Sequence, residues 1–469
     1  MAEGLVHDLA DFAAETFRDG PPPPIADLVA QRLTDTIAVA LAAGDEAPVR
    51  IVRSVAAAEG GPGAATVLGS GERLSPSAAA LVNGTMAHAL DFDDTHLPSI
   101  LHPSASVVPA ALAVAQTTRS SGAEVVAALA AGLEITCRLG MAAYDSGRRN
   151  SIFFENGFHA TSICGTLGAA AAASLLLGGG PGILAHALGI AASMGAGLLE
   201  ANRTGGAVKR THCGWAAHAG VVAARLAAAG LTGPPTVLEG RFGFFRAYTG
   251  GFLDHDALVG GLGDRWVAER IFTKPYPTNH FTHAGIDAAI ALRSAGLAVS
   301  EVVGMELGVA GPTLRTIAEP AEDKARPTTG YHARFSGPFT VATALVGGGG
   351  LGVSSEDFDD RSVHDPERLR LAALVRCHED EEASAGFPDD FPGVLTVRLR
   401  DGTVAEHRVV HTRGGPDRPL SRAELAAKFR LCAAPSLGGD AAADELFELA
   451  AGIADLDEAG MIVAAATVA

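Results

Sequence analysis

A chain of 469 residues exceeds what one hydrophobic core usually serves, so two domains are expected, each with ample apolar material to bury. Its 53 acidic against 35 basic side chains give a formal charge of −18, which argues against a nucleic-acid partner, whose phosphates need a concentrated basic face. Cys137, Cys164, Cys213, Cys377 and Cys432 form no Cys-x-x-Cys pair and no even framework, and the acidic start Met1-Ala-Glu-Gly-Leu-Val-His-Asp8 carries no secretory run. A reduced, cytoplasmic chain without an iron–sulfur cluster is therefore expected.

The first 265 residues read as helical nearly throughout. Their chemically richest stretch is His88-Ala-Leu-Asp91-Phe-Asp93-Asp94-Thr95-His96, with His102-Pro103-Ser104 close behind. A helix over 80–95 would set His88, Asp91 and Thr95 on one face and turn Asp93 and Asp94 elsewhere. Pro98 blocks continuation, so His102 returns on a loop, where scaffolds commonly present functional groups. Three readings are open: an acid–base site, a metal site, or a solvated Asp-rich helix end with a structural histidine. The metal reading lacks a His-Glu-x-x-His, a paired-Cys motif or a calcium loop.

Ala-rich helices are expected over 105–116, 122–140, 165–177, 183–199 and 214–229, separated by Gly or Pro. From Gly165 to Leu199 there is no Asp, Glu, Lys or Arg, long enough to imitate a membrane span. The run is Ala- and Gly-rich, contains His186, and is cut by Gly178-Gly-Gly-Pro181-Gly182. Two buried helices fit it better, and no membrane partner is expected.

Only four of the 35 basic residues are lysines, Lys209, Lys274, Lys324 and Lys428. A lysine retained among arginines suggests a role for a compact ammonium that can lose its proton. Lys209 lies in Gly205-Gly-Ala-Val-Lys-Arg-Thr-His-Cys-Gly-Trp-Ala-Ala-His218, a loop leading into a helix, where Lys209 and Arg210 could form a carboxylate site. Lys274 lies in Phe272-Thr-Lys-Pro-Tyr-Pro277 at an expected domain boundary, a common place for ligands. The opposing reading makes both surface lysines.

Near Arg265 the texture changes. Glu301–Ala310, Val394–Arg400 and Thr403–Val410 read as strands, the last two a hairpin on Asp401-Gly402. An α/β domain is expected over 269–412. Ser421-Arg-Ala-Glu424 then has the form of a capping box, and helical texture returns, so that 413–469 rejoins 1–268 in one helical domain.

The stretches Asn83-Gly-Thr-Met-Ala-His-Ala-Leu-Asp-Phe-Asp-Asp-Thr95, His102-Pro-Ser104, Gly157-Phe-His159-Ala-Thr161, Lys209-Arg-Thr-His212, Thr232-Gly-Pro-Pro-Thr-Val-Leu-Glu-Gly240, Lys274-Pro-Tyr-Pro277, Ala333-Arg-Phe-Ser336 and Lys428-Phe-Arg430 occur in this order along almost the whole chain. In these motifs the chain resembles the MmgE/PrpD family, which includes 2-methylcitrate dehydratase, cis-aconitate decarboxylase and iminodisuccinate epimerase. The resemblance implies a mainly α fold, a large all-helical domain with a smaller inserted α/β lid, a homodimer, and a site between the domains that uses no metal, nucleotide or other cofactor. Carried over position by position, the catalytic set is Asp91, Thr95, His102, His159, Lys209 and Lys274. Substrate contacts fall on Lys209, Arg210, Lys274, Thr95 and Tyr331. His159 comes from the resemblance alone. Two departures, Thr278-Asn279-His280 where the family frequently shows a Cys, and Gly337-Pro338-Phe339 where longer polar or tyrosine side chains are expected, bear on substrate choice.

The family's reactions place negative charge on carbon next to a carboxylate, so fixed cations and a positioned acid or base are what such a site must supply. On this reading Lys209 and Lys274 hold carboxylates of a small di- or tricarboxylic acid, and Thr95 donates a further hydrogen bond. His102 and His159 move protons, and Asp91 sets a neighbouring histidine or is itself the base. A 2-methylcitrate dehydratase-like dehydratase is the first expectation, with decarboxylase and epimerase as alternatives. From other classes, a metal-dependent hydrolase and a catalytically silent carboxylate-binding protein are the competing readings.

Overall fold

The computed structural model describes residues 4–201 and 206–467. The fold is mainly α and divides into two compact units, Met1–Ile271 with Phe429–Ala469, and Phe272–Lys428. Gly205, part of the loop expected before Lys209, lies outside the described residues.

In the larger unit the helices Pro76–His88, Ser104–Thr118, Gly122–Met141, Ala160–Leu176 and His212–Ala228 pack on one another. Their buried faces are mostly Ala, Gly, Leu and Val, and small residues let backbones approach closely. A Cβ on Gly84 would fall 2.9 Å from the Cα of Gly214, and one on Gly168 would fall 2.4 Å from the Gly132 carbonyl oxygen. Only glycine permits either crossing. The Gly84/Gly214 crossing joins the two helices that carry His88 and His212.

Local signals set several helix ends. Ser121 and Glu124 form a reciprocal capping box, as do Ser421 and Glu424 at the start of Arg422–Leu437. The uncharged run divides into Ala160–Leu176 and Pro181–Ala191, and no helix among the described residues is long and apolar enough to cross a membrane. The second piece stops at Ala191, short of the expected 199, where Gly195 and Gly197 leave helical conformation.

The helix expected over 80–95 ends at His88. Asp91 takes a left-handed conformation, with φ 55°. Aspartate tolerates that region better than most residues, and tertiary pairing of its carboxylate outweighs a sequence with no breaker before Pro98.

The smaller unit holds a four-stranded sheet in the order Val404–Val409, Gly393–Leu399, Val302–Val309, Val375–Glu379. The first two neighbours pair antiparallel and the last parallel, and the hairpin turns on Asp401-Gly402 with Gly402 at φ 89°. Leu307 sits opposite Leu395, and both are fully buried against the helices His283–Ser294 and Gly337–Val346.

Candidate active site

The chain leaving Pro76–His88 makes a tight acidic loop whose side chains all turn inward. His88, Asp91, Asp93, Asp94 and Thr95 are each at most 2% exposed, so the stretch is no solvated helix end. The expectation that Asp93 and Asp94 face elsewhere fails for the same reason: once the helix stops at His88, its periodicity no longer places them. Asp93 Oδ2 accepts from His88 Nδ1 at 2.7 Å and lies 3.9 Å from His102 Nδ1. Asp94 accepts hydrogen bonds from the backbone N–H and hydroxyl of Ser104, at the start of Ser104–Thr118. Burial pushes the Asp94 carboxyl up to about 7, against the opposing pull of Ser104 and Arg32.

His102 returns on the loop before that helix. Its Nδ1 donates to the carbonyl oxygen of Asp94 at 2.6 Å, and Thr95 Oγ1 lies 3.3 Å from the same nitrogen. A carbonyl can only accept, so the proton stays on Nδ1 and Nε2 is the nitrogen that exchanges. The His102 backbone N–H donates to Thr161 Oγ1 at 3.2 Å, which ties the loop to the helix following His159.

His159 and His212 complete a file of imidazoles. Ring centroids are 5.3 Å apart from His102 to His88, 5.5 Å from His88 to His159 and 5.1 Å from His159 to His212. The two Nδ1 atoms of His159 and His212 are 3.0 Å apart. Burial, reinforced by His88, Lys209 and neighbouring rings, holds His159 well below the ordinary histidine value; burial with His88 and Lys209 brings His212 down to about 4. His88 Nε2 is buried without a hydrogen-bond partner among the described residues.

Lys209 stands on the short helical turn Val208–Thr211 that leads into His212–Ala228, with Nζ 3.3 Å from Asp91 Oδ1. The carboxylate seated on an imidazole is Asp93, whereas Asp91 meets the ammonium. Arg210 pairs with Glu46 at 2.9 Å. Lys209 is 7% exposed, Lys274 0%, Lys324 6% and Lys428 1%: every lysine of the chain is buried, and the surface reading of Lys209 and Lys274 fails.

The structure thus brings Asp91, Thr95, His102, His159 and Lys209 together in the larger unit, with His88, Asp93, Asp94, Ser104 and His212 added. Lys274 and Tyr331 belong to the smaller unit. There Lys274 is buried beside Tyr276, whose hydroxyl donates to Asp287 at 2.6 Å, and Tyr331 packs its ring 5.3 Å from that of Phe335. Of the departing positions, Thr278 and His280 are buried, and Gly337-Pro338-Phe339 begins a helix capped by Ser336, with Phe339 in the core.

His88, Asp93 and Cys213 offer three ligand-type atoms within 4.8 Å of one another. The His88–Asp93 hydrogen bond engages His88 Nδ1 and Asp93 Oδ2, and burial drives the Cys213 thiol well above its ordinary range. The donor set as it stands is a hydrogen-bonded one, suited to proton transfer beside a fixed ammonium.

The MmgE/PrpD N-terminal domain model matches residues 7–255, and the C-terminal domain model matches residues 276–451. The chain belongs to the MmgE/PrpD family. Among its relatives, the cis-aconitate decarboxylase of Homo sapiens is 32% identical over 406 residues, spanning 83% of this chain and 79% of that one. A cis-aconitate decarboxylase of Aspergillus terreus is 28% identical over 472 residues, spanning 96% and 93% respectively. That of Mus musculus is 29% identical over 400 residues. These relatives support an enzyme of the lyase class. His88, Asp93 and Asp94 stood in the opening motif and His212 at the end of Lys209-Arg-Thr-His212, but helical periodicity pointed away from the aspartates, and a histidine in an Ala-rich helix carries no sign of what faces it.

Proposed function

We propose that the protein is a cofactor-independent decarboxylase of a small unsaturated tricarboxylic acid, cis-aconitate or a close analogue. The near end-to-end match to relatives named cis-aconitate decarboxylase carries this reading over the dehydratase first expected. The site's chemistry agrees with it. Lys209, oriented by Asp91, holds a substrate carboxylate, and Thr95 adds a hydrogen bond. Lys274 and Tyr331 are assigned as further carboxylate contacts on the family resemblance.

Loss of CO2 breaks a C–C bond and leaves its electron pair delocalised toward a retained carboxylate, where a fixed ammonium stabilises it. Protonated His102 then gives its Nε2 proton to carbon, forming the new C–H bond, while Nδ1 stays on the Asp94 carbonyl and the Asp93 carboxylate nearby balances the imidazolium charge. One proton is consumed for each CO2 released. The His102 side chain is 15% exposed and regains its proton from solvent. A homodimer is proposed as the working form.

Proton NMR of the purified protein in D2O with cis-aconitate, citrate, methylcitrate and iminodisuccinate tests the reading. Loss of CO2 with one deuteron fixed on carbon is expected for cis-aconitate alone. Loss of water from methylcitrate, or deuterium entering an unchanged iminodisuccinate skeleton, would replace the decarboxylase by a dehydratase or an epimerase.

A further inference from the structure

We propose that His212 is a positioning residue that works through His159, the two rings forming a two-proton relay across their facing Nδ1 atoms. This rests on the lyase reading above for its catalytic consequence, but not for its geometry. The atoms are 3.0 Å apart, and two imidazole nitrogens meet at that distance only if one carries a proton and the other a lone pair.

The surroundings hold the pair in place. The His159 backbone N–H donates to the Gly197 carbonyl at 3.0 Å, and Ser162 Oγ donates to the His212 carbonyl at 2.9 Å. Gly197, at φ 145°, roofs the pair: a Cβ there would come within 3.2 Å of His159 Cβ and 3.3 Å of His212 Nδ1. Lys209 and the rings of His88 and His102 face the pair, Asp93 is bonded to His88, and the buried thiol of Cys213 follows His212 in the chain. Three imidazoles and an ammonium make a lone charge on His159 costly, while His212 is the more exposed residue, 7% against 2%.

The steps balance. When His159 Nε2 takes a proton, an N–H bond forms there, the Nδ1–H bond of His159 breaks, and a new N–H bond forms at His212 Nδ1. The positive charge resides on His212, and the reverse sequence delivers a proton from His159 Nε2.

Two measurements test this separately. Magic-angle-spinning NMR of the full-length protein labelled with 15N-histidine should show a nitrogen–nitrogen correlation across the shared proton, lost in His159→Gln and in His212→Asn. Its absence from the folded wild-type protein overturns the proposal whatever the reaction is. In turnover of cis-aconitate, His212→Asn keeps a hydrogen-bonding group near the Nδ1 position but cannot pass the proton on. Its kcat should fall about tenfold to a hundredfold with KM within about twofold, and the rate in H2O/D2O mixtures should change from a bowed to a linear dependence on deuterium fraction. An unchanged kcat and a bowed plot would reduce His212 to a structural role. If His212→Asn fails to fold, Gly197→Ala serves instead, its methyl group crowding His159 Cβ and His212 Nδ1 and weakening both the correlation and kcat; a lost correlation with wild-type kcat in that variant would overturn the relay. A wild-type protein that shows the correlation but leaves cis-aconitate untouched would sink the decarboxylase reading and leave the proton-sharing pair standing.

Discussion

Replacing Asp94 by Asn should stabilise the protein above neutral pH and do less below it. The carboxyl has an ordinary value of 3.8 and is pushed up to about 7 in the folded state, chiefly by burial. Between these values the native protein binds a proton that the unfolded chain does not, so stability falls as pH rises and is flat above the folded value. At about 1.4 kcal/mol per unit, ionising the buried group costs about 4 kcal/mol in all, of which about 3 kcal/mol lies between pH 5 and pH 8. Asparagine carries no charge, and its amide can still accept from Ser104 N–H or Oγ–H, so the hydrogen bonds at the start of Ser104–Thr118 are largely kept. Urea denaturation of wild type and Asp94→Asn at pH 5, 6, 7 and 8 measures the difference directly. The variant's advantage should grow by about 3 kcal/mol across that range. A difference that stays constant with pH would show that Asp94 does not titrate there.

Three further outcomes are expected. Lys209→Ala and His102→Gln should each lower kcat/KM for cis-aconitate by about a hundredfold or more while far-UV circular dichroism stays native, and a variant at near-normal rate would be removed from the mechanism. Arg138→Met should cost about 3–5 kcal/mol in urea denaturation, because it strands the buried Glu134 carboxylate and the carbonyls of Leu258, Gly260, Gly261 and Arg265 that the guanidinium now serves. Light scattering should give about twice 47.5 kDa, and a clean monomer would contradict the proposed homodimer.

Much of the fold was legible because its cues are local. Alanine-rich composition between Gly and Pro breaks located Ser104–Thr118 and Gly122–Met141 to within a few residues, Asp401-Gly402 marked the hairpin, and Ser421 with Glu424 announced the helix that follows. The stop after His88 was not legible, since it depends on Lys209, 118 residues away, drawing in the Asp91 carboxylate. Period 3.6 applied past that stop turned Asp93 and Asp94 away from the His88 face in error. His88 and His212 share a site because Gly84 and Gly214 let two helices touch, a tertiary event with no signature in either segment alone. The scarcity of lysine, by contrast, is a global cue that marks Lys209 and Lys274 in the sequence itself.

That scarcity also gives the protein an unusual chemical outline. With all four lysines inside, the described surface presents guanidinium in place of side-chain amine. Amine-selective acylation or a lysine-specific protease finds no accessible lysine side chain in the folded chain, whereas an arginine-specific protease meets exposed targets such as Arg18 and Arg119. Each lysine becomes reactive only as its own surroundings open, and Lys209 and Lys324 report on different units. The rates at which the four acquire an acyl label would map, residue by residue, which part of the protein opens first.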